Sequence, residues 1–161
     1  MRDLPQDAGE YLSALRNIRN LSLCDFTIEY IGEEVFHTCF SVFRETLSQL
    51  SLFRVAMSLN MFVTLVGYFP NITRLRLGPS KLQLDEGPVP SLPQPLRGEI
   101  CLYNIDFDSR RFIDRMAGLD MKYDTLIVKS SYSAALVSIL QLSPNTIKYL
   151  SLEIALGREQ P

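Results

Sequence analysis

His37 is the one histidine in this 161-residue chain, so Ser–His–Asp or Cys–His chemistry would have to turn on it. The nearest nucleophile is Cys39, two residues away in a helical pattern, and residues so spaced do not share a helix face. The cysteines, Cys24, Cys39 and Cys101, are odd in number and widely spaced. A disulfide framework or zinc site wants close Cys/His pairs, so reduced, mostly buried thiols are expected. Asp106 and Asp108 lie close together, but Asp108 has a ready use as a helix cap. Asp85-Glu86-Gly87 is an acidic turn without the further oxygen ligands of a calcium loop. No phosphate-cradling glycine pattern occurs. These residues predict no catalytic centre, no metal and no cofactor, and the chain is not read as an enzyme.

Bulk properties narrow the partners. Sixteen basic against eighteen acidic side chains leave a net charge of −2, which predicts neither nucleic-acid nor membrane-surface binding. No apolar run reaches the ~20 residues of a membrane span. The start, Met1-Arg-Asp-Leu-Pro-Gln-Asp7, lacks the apolar core of a secretory signal. Asn20-Leu-Ser and Asn71-Ile-Thr match the glycosylation acceptor pattern, yet both lead into expected strands and are set aside. A cytoplasmic or nuclear protein is expected.

The scaffold that must position any functional residue is legible as a repeat. The template apolar-x-x-apolar-x-apolar fits Ile18/Leu21/Leu23, Leu47/Leu50/Leu52, Ile72/Leu75/Leu77, Tyr123/Leu126/Val128 and Ile147/Leu150/Leu152, with a degenerate copy at Arg97/Ile100/Leu102. Aligned on the central residue, the steps are 29, 25, 25, 26 and 24. They lie within the ~20–29 residues of leucine-rich repeats. The predicted fold is therefore an α/β leucine-rich-repeat solenoid of about six repeats, with a parallel sheet on the concave face and helices on the convex face. All 161 residues form one domain in this reading, and nearly half of them are apolar, enough for a continuous core.

Residues 1–17 are expected to form an N-terminal helical end piece, with Tyr11, Leu12 and Leu15 covering the first repeat. The spacing of Phe36, Phe40, Phe43 and Leu47 predicts a long helix over 33–49. Ser58 is the expected N-cap of a second helix through Leu59, Phe62, Val63 and Val66, which Pro70 ends. Residues 78–96 hold too many prolines for a helix and predict an extended crossover, with Leu82, Leu84, Val89 and Leu92 lying along the flank. Two further helices are expected, one with Phe112, Ile113 and Met116 and one with Ala135, Leu136, Ile139 and Leu140. At the last strand the array either continues in a longer protein or is closed by Ile154-Ala-Leu156.

Side chains alternate between faces along a strand, so the residues flanking the core leucines point outward. Phe53, Arg74, Arg76, Tyr103, Ile127 and Tyr149 stand out among them, because arginine and aromatic residues are enriched in interface cores. They are the candidate partner-binding residues, with a protein as the expected partner and no small-molecule site expected.

The stretch Val63-Thr-Leu-Val-Gly-Tyr-Phe-Pro-Asn-Ile-Thr-Arg-Leu-Arg-Leu77 resembles F-box/leucine-rich-repeat-like proteins of mushroom-forming fungi. So do Asp85-Glu-Gly-Pro-Val-Pro-Ser-Leu-Pro-Gln-Pro-Leu-Arg-Gly98, Phe112-Ile-Asp-Arg and Ser143-Pro-Asn-Thr-Ile-Lys-Tyr-Leu-Ser-Leu152. In such proteins an upstream F-box docks onto the adaptor of a cullin-type ubiquitin ligase, and the repeats recruit the target. Only about a dozen residues lie between Leu4-Pro5 and the first strand, too few for the three helices of an F-box. The resemblance thus implies the repeat region alone: a protein-interaction scaffold, the substrate-recognition region of a ubiquitin-ligase-type assembly. The alternative expectation is a truncated or non-functional repeat fragment with no specific partner.

Overall fold

The computed structural model describes residues 15–25, 33–79, 81–83, 91–92, 95–104, 122–130 and 146–154. Each leucine pattern becomes a strand. In chain order these are β1 (Asn20–Cys24), β2 (Gln49–Phe53), β4 (Arg74–Leu77), β6 (Arg97–Tyr103), β7 (Lys122–Ser130) and β8 (Tyr149–Ile154). They form one six-stranded sheet in the order β1-β2-β4-β6-β7-β8, and every pairing in it is parallel. Parallel neighbours need long crossovers, which the repeat step supplies. The class is α/β with few described helices.

Register follows the repeat. Leu21, Leu50, Leu75, Ile100, Leu126 and Leu150 lie side by side, as do Leu23, Leu52, Leu77, Leu102, Val128 and Leu152. In the four inner strands these residues are buried. In β8, at the sheet edge, Leu150 and Leu152 are 43% and 41% exposed.

Helix α1 (Glu33–Phe40) is shorter than expected. A 3-10 turn at Ser41–Phe43 ends it, and the Ser41 hydroxyl donates to the Thr38 carbonyl. The turn keeps Phe43 buried while freeing Leu47, also buried, to open the next strand's pattern. Helix α2 (Leu59–Tyr68) starts as the sequence predicts: Ser58 Oγ accepts from the Met61 amide at 3.2 Å. It stops at Phe69, which takes the extended conformation required before Pro70. Phe69 then clamps the helices together, stacking on Phe43 at 6.0 Å and meeting Phe40 edge-on at 5.9 Å.

Two differences have clear physical causes. The expected extended crossover contains a strand, β5 (Lys81–Gln83), which pairs in parallel with β3 (Ala56–Ser58). Ala56 and Lys81 stand 25 residues apart, so this small sheet follows the repeat step. Of the crossover's apolar residues, Leu92 packs against the core as expected, while Leu84 and Val89 lie outside the described residues. The degenerate fourth pattern is also corrected. Arg97 is exposed, and Leu96 fills the buried first position instead. A register shift at Gly98/Glu99, with Asp124 as the extra residue on β7, absorbs the 26-residue step.

The N-terminal end piece as far as residue 14, the two later helices, Asp85-Glu86-Gly87, Asp106, Asp108 and the Ala155-Leu156 closure lie outside the described residues. No helix among the described residues is long and apolar enough to cross a membrane.

Candidate interaction surface

The strands are joined beyond their own ladders by a polar device at a fixed place in the repeat. At three of the entries the residue before the pattern sends its side chain to a backbone carbonyl of the preceding repeat. Thr46 Oγ1 donates to Ile18 O at 2.8 Å, Asn71 Nδ2 to Glu45 O at 2.7 Å and Thr146 Oγ1 to Tyr123 O at 2.9 Å. Backbone amides do the same at the strand entries, as from Gln49 to Arg19 O and from Arg74 to Ser48 O. These bonds give the carbonyls partners and tie each strand entry to the repeat before it. Exits repeat as well: Asp25, Arg54 and Asn104, each just after a strand, all have positive φ.

On that frame the sheet has two unlike faces. One carries the leucines into the core. The other presents three rows of side chains, one residue per strand. Four of the predicted partner-binding residues come together in its middle. Phe53 on β2 and Tyr103 on β6 approach to 5.9 Å between ring centroids. Between them in register lies Gly78, where an added Cβ would fall 2.1 Å from Phe53 Cδ1. The missing side chain is what lets the Phe53 ring lie over β4 towards Tyr103.

Arg74 and Arg76 project from β4 beside this pair. Arg74 Nε lies 2.7 Å from Glu99 Oε1, an ionic contact off the hydrogen-bond direction. Its Nη2 donates to Glu99 Oε2 at 3.3 Å and its Nη1 to Gln49 Oε1 at 3.4 Å. Arg76 stands in register with Ser51 and Cys101, both uncharged. Ile127 continues the row on β7, half-buried. Tyr149 is set apart on the edge strand, 57% exposed. At about 4.8 Å per strand it stands roughly 14 Å from the arginines.

Four members of this face, Glu99, Cys101, Lys129 and Glu153, do not stand out by residue type alone. Glu99 holds Arg74, and Cys101 Sγ donates to Glu99 Oε1 at 3.1 Å. Lys129 and Glu153 pair at 2.5 Å on β7 and β8. The signal was available: opposite charges one repeat step apart, 25 residues for Arg74 and Glu99 and 24 for Lys129 and Glu153. At the strand exits Arg54 grips Asp25 with both Nε and Nη2, at 2.5 and 2.6 Å. That hydrogen bonding holds the Asp25 carboxyl below its ordinary range.

The thiols differ sharply in exposure. Cys24 is exposed, Cys39 half-buried and Cys101 only 1% exposed. Burial, then the hydrogen bond to Glu99, pushes the Cys101 thiol up to about 11. At pH 8 roughly one part in a thousand of it would be thiolate, the reactive form. Titration of the native chain with a disulfide reagent at pH 8 is expected to modify Cys24 first, Cys39 more slowly and Cys101 only on unfolding. Equal rates for Cys24 and Cys101 would contradict the cover described.

Other chemistry is thin. His37 is exposed, its ring meeting Tyr68 edge-on at 5.2 Å. Among the described residues no cluster of three or more His, Cys, Asp or Glu side chains could hold a metal ion. An open depression of about 530 Å³ at the strand entries is lined by Arg97, Lys122, Asp124, Thr146 and Lys148, among others. The Thr146 hydroxyl there is committed to a backbone carbonyl. No family model, curated protein or solved structure matches the chain.

Proposed function

We propose that the chain is a leucine-rich-repeat module of about six repeats that works as a protein-interaction scaffold, binding its partner on the open face of the parallel sheet. One observation carries the reading. The leucine rows are buried on one face, while the other face gathers Phe53, Arg74, Arg76 and Tyr103 on three adjacent strands. Such residue types at the centre of a rigid sheet suit a protein interface. The resemblance to F-box/leucine-rich-repeat-like proteins extends this to target recognition in a ubiquitin-ligase-type assembly. A second reading, a repeat fragment without a specific partner, draws on the exposed Leu150 and Leu152 at the sheet edge.

The test is affinity capture from an extract of the source cells, with the native chain and the triple variant Arg74→Ser/Arg76→Ser/Tyr103→Ser as baits. The variant is expected to keep its circular dichroism spectrum, because none of the three residues lies in the leucine core. It is expected to lose the partner that the native chain retains. A cullin adaptor recovered together with a target supports the ligase assignment, and a target alone supports a free-standing module. Undiminished capture by the folded variant would place the partner elsewhere.

A further inference from the structure

We propose that Arg76 is a receptor for a carboxylate: the partner presents an Asp or Glu side chain to its guanidinium and an apolar or aromatic side chain to the adjoining Phe53–Tyr103 pair. This rests on the open sheet face being the interaction surface, as proposed above, and says what chemistry that face selects.

Charge is the first argument. The middle of the face holds two cations, Arg74 and Arg76, and one anion, Glu99. Glu99 is committed: Oε1 lies against Arg74 Nε and accepts from the Cys101 thiol, and Oε2 accepts from Arg74 Nη2. Arg76 Nε is buried and has no hydrogen-bond partner among the described residues. Its register neighbours Ser51 and Cys101 carry no charge, and the raised thiol of Cys101 stays protonated at neutral pH. One positive charge is therefore left uncompensated on a half-buried surface. A guanidinium fork matches a carboxylate with two parallel hydrogen bonds, so a single acidic side chain balances both charge and donors.

Geometry is the second. Gly78, the floor of the aromatic pair, lies two residues beyond Arg76, just past the end of β4. That is about 6.6 Å along the sheet, the distance between residues i and i+2 of an extended chain. An extended segment with an acidic residue two positions from an aromatic or large aliphatic one would meet both features at once. Lys129 is taken by Glu153, and Arg74 by Glu99, so no other described cation on this face competes for the carboxylate.

The probe is a random dodecapeptide display library, selected on the immobilised chain and on the folded variants Arg76→Gln and Arg76→Glu. The native chain is expected to enrich peptides with Asp or Glu two residues from an aromatic or large aliphatic residue. Fluorescence anisotropy should show those peptides binding Arg76→Gln about tenfold more weakly. Arg76→Lys, which keeps the charge without the fork, should recover part of the loss. Arg76→Glu should enrich Lys or Arg at the acidic position instead. The proposal is overturned if no peptide is enriched, or if acidic peptides bind Arg76→Gln undiminished. Peptides without an acidic residue that are lost on Phe53→Ser or Tyr103→Ser would overturn the Arg76 assignment and leave the interaction face standing. Peptides indifferent to all these substitutions would overturn both.

Discussion

Gly98→Ala is expected to remove a large share of the chain's stability. Gly98 has φ +93°, a conformation L side chains rarely adopt, and an added Cβ would fall 2.2 Å from the Thr73 carbonyl oxygen. The obstacle is backbone and cannot swing aside. That carbonyl accepts the Glu99 amide at 2.8 Å, while the Thr73 amide donates to Ser48 at 2.9 Å. Displacing it disturbs the entry bonds of three neighbouring strands at once. Strained backbone alone costs about 1–3 kcal/mol, and with the steric displacement the loss should reach about 3 kcal/mol or more. Folded domains hold only about 5–15 kcal/mol in all. Urea denaturation checks this. Gly67→Ala, inside α2, is the control, and there a gain of about 0.5–1 kcal/mol is expected because alanine is the better helix former. Equal midpoints for Gly98→Ala and the parent would refute the described register shift.

The second large effect separates two leucines that the repeat treats as equivalent. Leu75 and Leu150 occupy the same register row, yet Leu75 is 0% exposed on an inner strand and Leu150 is 43% exposed at the edge. Leu75→Ala leaves a cavity enclosed on every side and should cost about 3–5 kcal/mol. Leu150→Ala loses only part of its transfer energy and opens no closed void, so about 1 kcal/mol is expected. Paired urea titrations of the two variants measure the difference. Comparable losses would mean that the edge strand is covered as thoroughly as the centre.

Which parts of this were legible follows from what each depends on. The six strands and their register come from one-dimensional spacing, and the observed pairs Gln49–Arg74–Glu99 and Ser51–Arg76–Cys101 are the alignment of the pattern itself. The cluster of Phe53, Arg74, Arg76 and Tyr103 was readable for the same reason. Its internal pairing was not read, because ranking residues by type favours arginine and aromatics and passes over Glu99, whose significance lies in standing one step from Arg74. The helix over-run to residue 49 arises because Leu47 fits both the helical period that runs through Phe43 and the strand pattern that follows. Packing decided, sending Leu47 to the strand side of the core. Leu96 in place of Arg97 depends on a one-residue shift that no periodicity contains. Strand β5 is three residues long, below what an alternating pattern can signal.

The central claim is that a partner covers the open sheet face. Hydroxyl-radical footprinting of the chain, free and in complex with the partner it captures, tests this most directly, with modification read residue by residue by mass spectrometry. Protection of Phe53 and Tyr103, with Tyr68 and Met61 on α2 reacting as in the free chain, is the predicted result. Protection of Tyr68 and Met61 with Phe53 and Tyr103 unchanged would put the partner on the helix side and contradict the account.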